Sequence, residues 1–137
     1  MNRPSIQVRI VTLQTRAREE MQDITPEVDK AVRDSGIRNG VAMVYVPHTT
    51  AGVTINENAD PSVRADILMS LRAQVPDSLP YTHAEGNSPA HVKASLLGSS
   101  VHVLIIDGRP ALGTWQGVFF CEFDGPRTRR IRIACRE

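Results

Sequence analysis

Histidine, glutamate and asparagine side chains crowd into residues 83–91 of this sequence, which read HAEGNSPAH. His83 and His91 bound the segment, and Glu85 and Asn87 flank its glycine. Neutral imidazole is the commonest protein ligand for metal ions, and its ordinary pKa of ~6.5 also lets it transfer protons. Glu85 could coordinate the same ion or orient a histidine ligand. We therefore predict that this loop binds a metal ion, a phosphate group or both.

A second polar group lies upstream, on both sides of a short apolar segment. Before that segment, His48 stands in a loop and could supply a further metal ligand. After it, in the run 56–60 (NENAD), Asp60 is explained as a helix cap. Glu57 has no such structural role, so we expect it to act in acid–base catalysis or as a ligand. Asn56 could orient a substrate or simply hold the turn.

A helix is predicted to begin within residues 83–91. Ser88 and Pro89 form a typical cap-and-proline start, which leaves the N–H groups of Ala90 and His91 without helical acceptors. The helix dipole favours negative charge at this end, so a phosphate could bind there. A capped helix without a ligand is the alternative that this feature leaves open.

Further candidates lie nearer the C-terminus. Trp115 stands between two glycines and could stack on an aromatic ring, or be buried in the core or at a subunit contact. Arg127 follows the turn at 124–126, and we predict that it binds a phosphate group. Cys121 shares a strand face with phenylalanines, so we expect a core thiol rather than a nucleophile. Glu122 lies among apolar residues and is an additional candidate.

The elements that must position these residues follow from hydrophobic periodicity and from caps, prolines and glycines. Their order, β-α-β-β-α-α-β-β-β with short connections, predicts an α+β domain with an antiparallel or mixed sheet and helices packed on one side. The predicted elements are strands over 5–15, 41–46, 52–56, 100–106, 112–123 and 130–134, a hairpin at 107–110, and helices from Thr25 to Gly36, from Asp60 to Pro76 and from Ser88 to Gly98.

Length and composition exclude several classes of protein. A chain of 137 residues with a net charge of +1 fits one globular domain over 1–137, and its overall charge predicts no nucleic-acid or membrane partner. Two cysteines are too few for a disulfide scaffold. The sequence has no signal-like or membrane-spanning apolar run, so we expect a cytoplasmic location.

Five blocks of the sequence together resemble the YjbQ-like family of secondary thiamine-phosphate synthases, and the resemblance covers nearly the whole chain. The blocks are His48-Thr49-Thr50, Asn56-Glu57-Asn58-Ala59-Asp60-Pro61, residues 83–91, Leu112-Gly113-Thr114-Trp115-Gln116 and Glu122-Phe123-Asp124-Gly125-Pro126-Arg127.

The resemblance implies a homotrimer with polar clefts near its subunit contacts. It also implies a transferase that weakly or secondarily joins a pyrimidine pyrophosphate to a thiazole phosphate and releases pyrophosphate. A divalent ion or arginines would neutralise the leaving group. Mg²⁺ prefers oxygen ligands, whereas three histidines favour an ion such as Zn²⁺, so the histidines could instead contact phosphate directly with no metal.

There are two alternatives to this synthase. One is a metal-dependent hydrolase, and the other is a non-catalytic module that binds a phosphorylated metabolite or a metal.

Within the synthase scheme the predicted site residues divide into three groups by role. The predicted catalytic residues are His48, Glu57, Glu85 and His91; the predicted substrate- or phosphate-binding residues are Thr49, Thr50, Asn56, Asn87, Ser88, Trp115 and Arg127; and the predicted metal ligands are His48, His83 and His91.

Overall fold

The computed structural model describes residues 6–137, so Ser5, the first residue of the first predicted strand, lies outside the described residues. These residues form eight strands and three helices. In chain order they are β1 Gln7–Gln14, β2 Glu20–Asp23, α1 Thr25–Ser35, β3 Gly40–Tyr45, β4 Ala51–Glu57, α2 Pro61–Gln74, α3 Ser88–Leu97, β5 Ser100–Ile106, β6 Arg109–Pro110, β7 Gln116–Glu122 and β8 Thr128–Arg136.

The strands form two antiparallel sheets. The five-stranded sheet has the order β1-β8-β3-β5-β6, and the three-stranded sheet has the order β2-β7-β4. The main core lies between the two sheets and α1, which contributes Val28 and Val32. A smaller core lies on the other face of the three-stranded sheet, where α2 and α3 pack. The α+β class is confirmed and the sheets are antiparallel, but the prediction that the helices pack on one side is wrong, because α1 packs in the main core whereas α2 and α3 pack on the opposite face of the three-stranded sheet.

Strand β7 is buried on both faces because it runs between these two cores. Phe120 enters the main core, whereas Phe119, Cys121 and Phe123 enter the smaller one. The alternation of side chains along a strand produces this division. Cys121 is 1 % exposed, and burial raises the pKa of its thiol to about 12, which confirms a core thiol and excludes a nucleophile.

Several helix boundaries agree with the sequence, but Thr25 and Ser88, whose residue types favour the cap position, do not cap their helices. Asp60 caps α2 by accepting a hydrogen bond from Ser62 N at 2.9 Å, and Gly36 ends α1 in a left-handed conformation. Thr25 is the first helical residue rather than the cap, because its hydroxyl accepts a hydrogen bond from Val118 N and ties α1 to β7. Ser88 is likewise the first residue of α3, after Asn87.

The predicted strand over 112–123 is wrong over residues 112–115, because β7 begins only at Gln116. The hairpin is real, but it joins β5 only to the two-residue β6, through Asp107 and Gly108 in left-handed conformations. The chain then leaves the five-stranded sheet, turns at Gly113–Gln116, and enters the other sheet as β7. The apolar segments that form β6 and β7 follow one another in the sequence, and nothing in their pattern indicates that the chain passes from one sheet to the other between them.

The outer face of the five-stranded sheet is exposed and rich in large apolar side chains. On β1, Val8 and Ile10 point outward at 58 % and 61 % exposure, although alternation of apolar with polar residues is typical of a strand that buries its apolar face. On β5, Leu104 and Ile106 do the same. An apolar sheet face of this kind is typical of a surface that contacts another molecule.

Gly52 lets α3 approach β4 closely and so places His91 relative to the strand. A Cβ atom at Gly52 would lie 2.7 Å from the carbonyl oxygen of Gly98 and 3.2 Å from Cβ of Leu97. We expect Gly52→Ala to lower the free energy of unfolding by about 1–3 kcal/mol, because backbone must move to admit the methyl group. Urea unfolding measures this change. Met69→Ala, at an exposed position of α2, is the control, and equal stability of the two variants would contradict the expectation.

Candidate functional site

Three loops meet in an open cleft of about 440 Å³ at one edge of the molecule. They are the loop between β3 and β4, the loop that enters α3, and the turn between β7 and β8. An adjoining hollow of about 500 Å³ shares His48, Thr49 and His91 with the cleft. The cleft is lined by Pro47, His48, Thr49, Thr50, His83, Glu85, Asn87, His91, Asp124, Arg127 and Arg129.

A buried ion pair between Glu122 and Arg129 lies beneath this cleft. Both side chains are at least 95 % buried, and Arg129 Nε donates to Glu122 Oε1 at 2.8 Å. Arg129 Nη2 also donates to the Thr50 hydroxyl at 2.8 Å, and the Thr15 hydroxyl donates to Glu122 at 2.7 Å. Burial by itself would raise the pKa of Glu122, but the hydrogen bonds from Arg129, Thr15 and Asp124 N outweigh it and lower that pKa.

A second polar cluster holds Arg127 at the mouth of the cleft. Asp124 Oδ2 accepts hydrogen bonds from Arg127 Nη2 at 2.8 Å and from Asn87 Nδ2 at 2.9 Å. Arg127 Nε donates to the Asp124 carbonyl oxygen at 2.7 Å. The side chain of Arg127 remains half-exposed, and Asn87 Oδ1 is buried without a hydrogen-bond partner among residues 6–137. Asp124 therefore orients two of the predicted phosphate-binding residues.

The His48 ring is held by a backbone donor. Its Nε2 accepts a hydrogen bond from Arg130 N at 2.9 Å. Burial, together with the positive charge of Arg129, lowers the pKa of His48 below the ordinary value. His48 is therefore neutral near pH 7.

His83 and His91 form an edge-to-face pair across the cleft. Their ring centroids are 5.4 Å apart with an interplanar angle of 89°. Glu85 Oε2 lies 3.9 Å from His83 Nε2, and its carboxylate is largely exposed. The loop therefore brings its two histidines together, as the sequence predicts.

Four of the predicted site residues do not line the cleft. Asn56 and Glu57 lie at the far end of β4, roughly 20 Å from the cleft at the ~3.3 Å rise per strand residue. Glu57 Oε2 accepts a hydrogen bond from Ala59 N at 3.0 Å and so holds its own turn. Trp115 lies at that same end, 64 % exposed, and its carbonyl accepts from Asn58 N. The fourth residue, Ser88, lies at the start of α3 but outside the cleft lining.

Two residues that line the cleft, Asp124 and Arg129, are not among the predicted site residues. Arg129 shares its strand face with Ile131, Ile133 and Cys135, so a period-two reading of β8 extended by one residue would have placed it inside. Glu122, the ion-pair partner of Arg129, is an additional candidate from the sequence because it lies among apolar residues. Nothing in the sequence distinguishes Asp124 from an ordinary turn residue.

The histidines do not form a ready metal site. Within residues 6–137, no group of three or more His, Cys, Asp or Glu side chains is arranged to hold a metal ion. His48 Nε2 is occupied by a backbone N–H group, which blocks coordination through that nitrogen. The predicted set of His48, His83 and His91 therefore does not fit a metal ion in this arrangement.

No helix in the described part of the chain is long and apolar enough to cross a bilayer.

Comparison with known proteins identifies the family. The family model described as UPF0047 protein YjbQ-like matches residues 9–137. A UPF0047 protein of Methanocaldococcus jannaschii is 54% identical over 121 residues, 88% of each chain. The YugU protein of Bacillus subtilis is 50% identical over 127 residues, which is 92% of this chain and 96% of the relative.

Solved structures agree with this match. A family protein from Clostridium acetobutylicum, described as uncharacterized, has 52% identity and a TM-score of 0.91 over 92% of this chain and 98% of its own. A Sulfolobus solfataricus protein of unknown function has 31% identity and a TM-score of 0.92 over 97% and 98%. The fold and the site thus define a small α+β protein with a histidine-lined cleft. The chain belongs to the YjbQ-like UPF0047 family.

Replacing Arg129 by methionine should strongly destabilise the protein. The change leaves the Glu122 carboxylate buried without its cationic partner, so we expect the free energy of unfolding to fall by about 3–5 kcal/mol. Urea unfolding at pH 7 measures the loss. Arg38→Met, at a position with a 73 % exposed side chain, is the control. A loss as small as the control's would show that the pair does not hold the structure together.

The same ion pair predicts a pH dependence. The pKa of Glu122 is lower in the folded protein than its ordinary 4.5, so the unfolded chain takes up a proton first on acidification. The stability that this carboxylate contributes is complete above pH 4.5 and is lost as the pH falls toward the lowered value. Unfolding curves between pH 7 and pH 3 should show this loss in the wild type.

Proposed function

We propose that the cleft binds a phosphorylated small molecule and is the active site of a weak or secondary thiamine-phosphate synthase. The enzyme would join a pyrimidine pyrophosphate to a thiazole phosphate and release pyrophosphate, acting as a transferase in the cytoplasm. The observation that carries the proposal is the convergence of three histidines and Arg127 from separate loops on one cleft. That donor set suits phosphate oxygens.

The charges in the cleft explain how an anion would be held. Arg127 and Arg129 are each paired with a carboxylate, on Asp124 and Glu122 respectively. The site is therefore not a strongly positive pocket, and affinity depends on directed N–H donors. Arg127 is half-exposed and its Nη1 donors bond no group in residues 6–137, so they can reach a phosphate at the mouth.

The histidine pair supplies the proton chemistry. His91 lies at the start of α3, beside His83, and both rings face the cleft. A protonated imidazole can donate a proton to the leaving oxygen of pyrophosphate, while the thiazole nitrogen attacks with its lone pair and has no proton to lose. Because the residues present do not fit a metal ion, hydrogen-bond donors and Arg127 would stabilise the charge that develops on the departing pyrophosphate.

Thiamine phosphate formation from the two phosphorylated precursors tests the proposal. The protein is stripped of metal and assayed with and without added Mg²⁺ or Zn²⁺. We expect turnover in the wild type and a loss of about 10²-fold or more in His91→Ala, the size typical for removal of a general acid or base. Asp66→Ala is the control, because Asp66 is exposed on α2, outside the cleft lining and away from the outer sheet face.

Each other outcome points to one of the alternatives. Release of phosphate or pyrophosphate without the thiazole acceptor would identify a hydrolase. Saturable binding of the precursors without turnover, abolished in the His91 variant, would identify a binding module. Full activity of His91→Ala would show that the chemistry does not use this cleft.

We also propose that the chain assembles as a homotrimer through the outer face of the five-stranded sheet. Leu104 and Ile106 on β5 and Val8 and Ile10 on β1 are exposed on that face, on either side of the exposed arginines of β8, and burial against a neighbouring subunit would remove these apolar side chains from water. Light scattering should return three times the mass of one chain, and Leu104→Glu should lower it because a charge would enter the contact. A monomeric wild type would contradict this assembly.

A further inference from the structure

The orientation of His48 is fixed by a group that can only donate a hydrogen bond. Arg130 N lies 2.9 Å from His48 Nε2, and a backbone N–H has no acceptor capacity. Nε2 must therefore carry a lone pair, and in the neutral ring the proton must be on Nδ1. The neighbouring strand β8 thus selects one of the two histidine tautomers.

The surroundings of His48 also oppose a second proton on the ring. Protonation of Nε2 would break the hydrogen bond, because the new N–H group on the ring would point at the N–H group of Arg130 and the two would repel each other. Burial and the positive charges of Arg129 and Arg127 act in the same direction, whereas the Glu122 carboxylate, which is already paired with Arg129, acts against them. The pKa of His48 accordingly lies below its ordinary value, and the ring is neutral near pH 7.

The remaining nitrogen of His48 is available to a ligand. Within residues 6–137, no group hydrogen-bonds to Nδ1, and the His48 side chain lines both the cleft and the adjoining hollow. A metal ion bound at Nδ1 would displace the proton from that nitrogen. The neutral ring could then carry its proton only on Nε2, which already accepts the hydrogen bond from Arg130 N. Coordination by either nitrogen is therefore incompatible with the Arg130 contact.

From this geometry we infer that His48 is a fixed hydrogen-bond donor, which gives its Nδ1–H to an oxygen of the anion in the cleft and binds no metal. This inference rests on the proposed function, because it assumes that the ligand carries a phosphate group. A neutral donor with a fixed proton suits an anionic oxygen in a site whose arginines are already paired. In this arrangement His48 binds the anion, and the His83–His91 pair transfers protons.

Nitrogen NMR of the full-length protein labelled in its histidine rings tests the tautomer. The His48 signals are identified by their loss in His48→Asn. We expect protonated Nδ1 and unprotonated Nε2 from pH 8 down to pH 6, where an ordinary histidine has largely titrated. The opposite tautomer, ordinary titration, or a shift of either His48 nitrogen on addition of Zn²⁺ at stoichiometric concentration would overturn the inference.

Inorganic phosphate and pyrophosphate test the donor role in the same samples. Saturation with either anion should shift the Nδ1–H signal of His48. A saturating titration seen at other cleft residues that leaves this signal unchanged would overturn the role. If neither anion binds the wild type at all, the donor role and the proposed function both fail.

Two variants separate the nitrogens of His48. Asparagine can place its amide N–H near the position of Nδ1, whereas glutamine can place its carbonyl oxygen near Nε2 and keep the Arg130 contact without the Nδ1 donor. By calorimetry we expect His48→Asn to bind pyrophosphate within about threefold of the wild type and His48→Gln about tenfold or more weaker, the size of a lost bond to a charged group. Thermal unfolding checks that both variants are folded.

The outcomes distinguish this inference from the synthase proposal. If His48→Gln binds pyrophosphate as the wild type does, the donor role is overturned even if thiamine phosphate is formed. If the anions bind, shift the Nδ1–H signal and bind weakly to His48→Gln, the inference stands even if no thiamine phosphate is formed.

Discussion

The buried pair of Glu122 and Arg129 is the interaction on which the cleft depends. Glu122 ends β7 in the three-stranded sheet, and Arg129 lies in β8 of the five-stranded sheet, so the pair joins the two sheets. Thr15, just after β1, and Thr50, just before β4, satisfy its remaining hydrogen-bonding groups. Removing two charges from water is costly, and only this complete set of partners makes it tolerable. The four segments are therefore held in one arrangement.

The electrostatics of the cleft follow from this arrangement. Arg129 lies beneath the floor, where its charge is compensated by Glu122 but still disfavours protonation of His48. Asp124 compensates Arg127 at the mouth in the same way. Because Glu85 also lines the cleft, the site has no excess of positive charge, and it relies on oriented donors to hold an anion. Such a site selects ligands by the positions of their oxygen atoms more than by their total charge, which suits discrimination among small phosphorylated molecules.

The polar residues at the other end of β4 form a separate surface. Glu57 holds its own turn, the backbone of Asn58 bonds the carbonyl oxygen of Trp115, and Gly117 leaves the room that the Asn58 side chain occupies. Trp115 remains largely exposed above them. A large aromatic side chain exposed beside polar groups is typical of contact surfaces, and the outer sheet face is apolar as well. Trp115 and the turn at Glu57 lie about the length of a strand from the histidines, so they belong to a surface separate from the cleft.

The sequence by itself determined most of the local structure and the composition of the site. Period-two and helical patterns gave the strands and helices, proline and glycine gave their ends, and the polar runs gave His48, Asn87, His91 and Arg127, because these signals are local in the chain. Tertiary structure decided which runs meet. The strand that carries Glu57 delivers only its first residues to the cleft, since a strand extends by ~3.3 Å per residue and its ends cannot share a site. It also decided which face of β1 is buried and which nitrogen of His48 carries the proton, because each depends on contacts with β8, more than eighty residues away for His48.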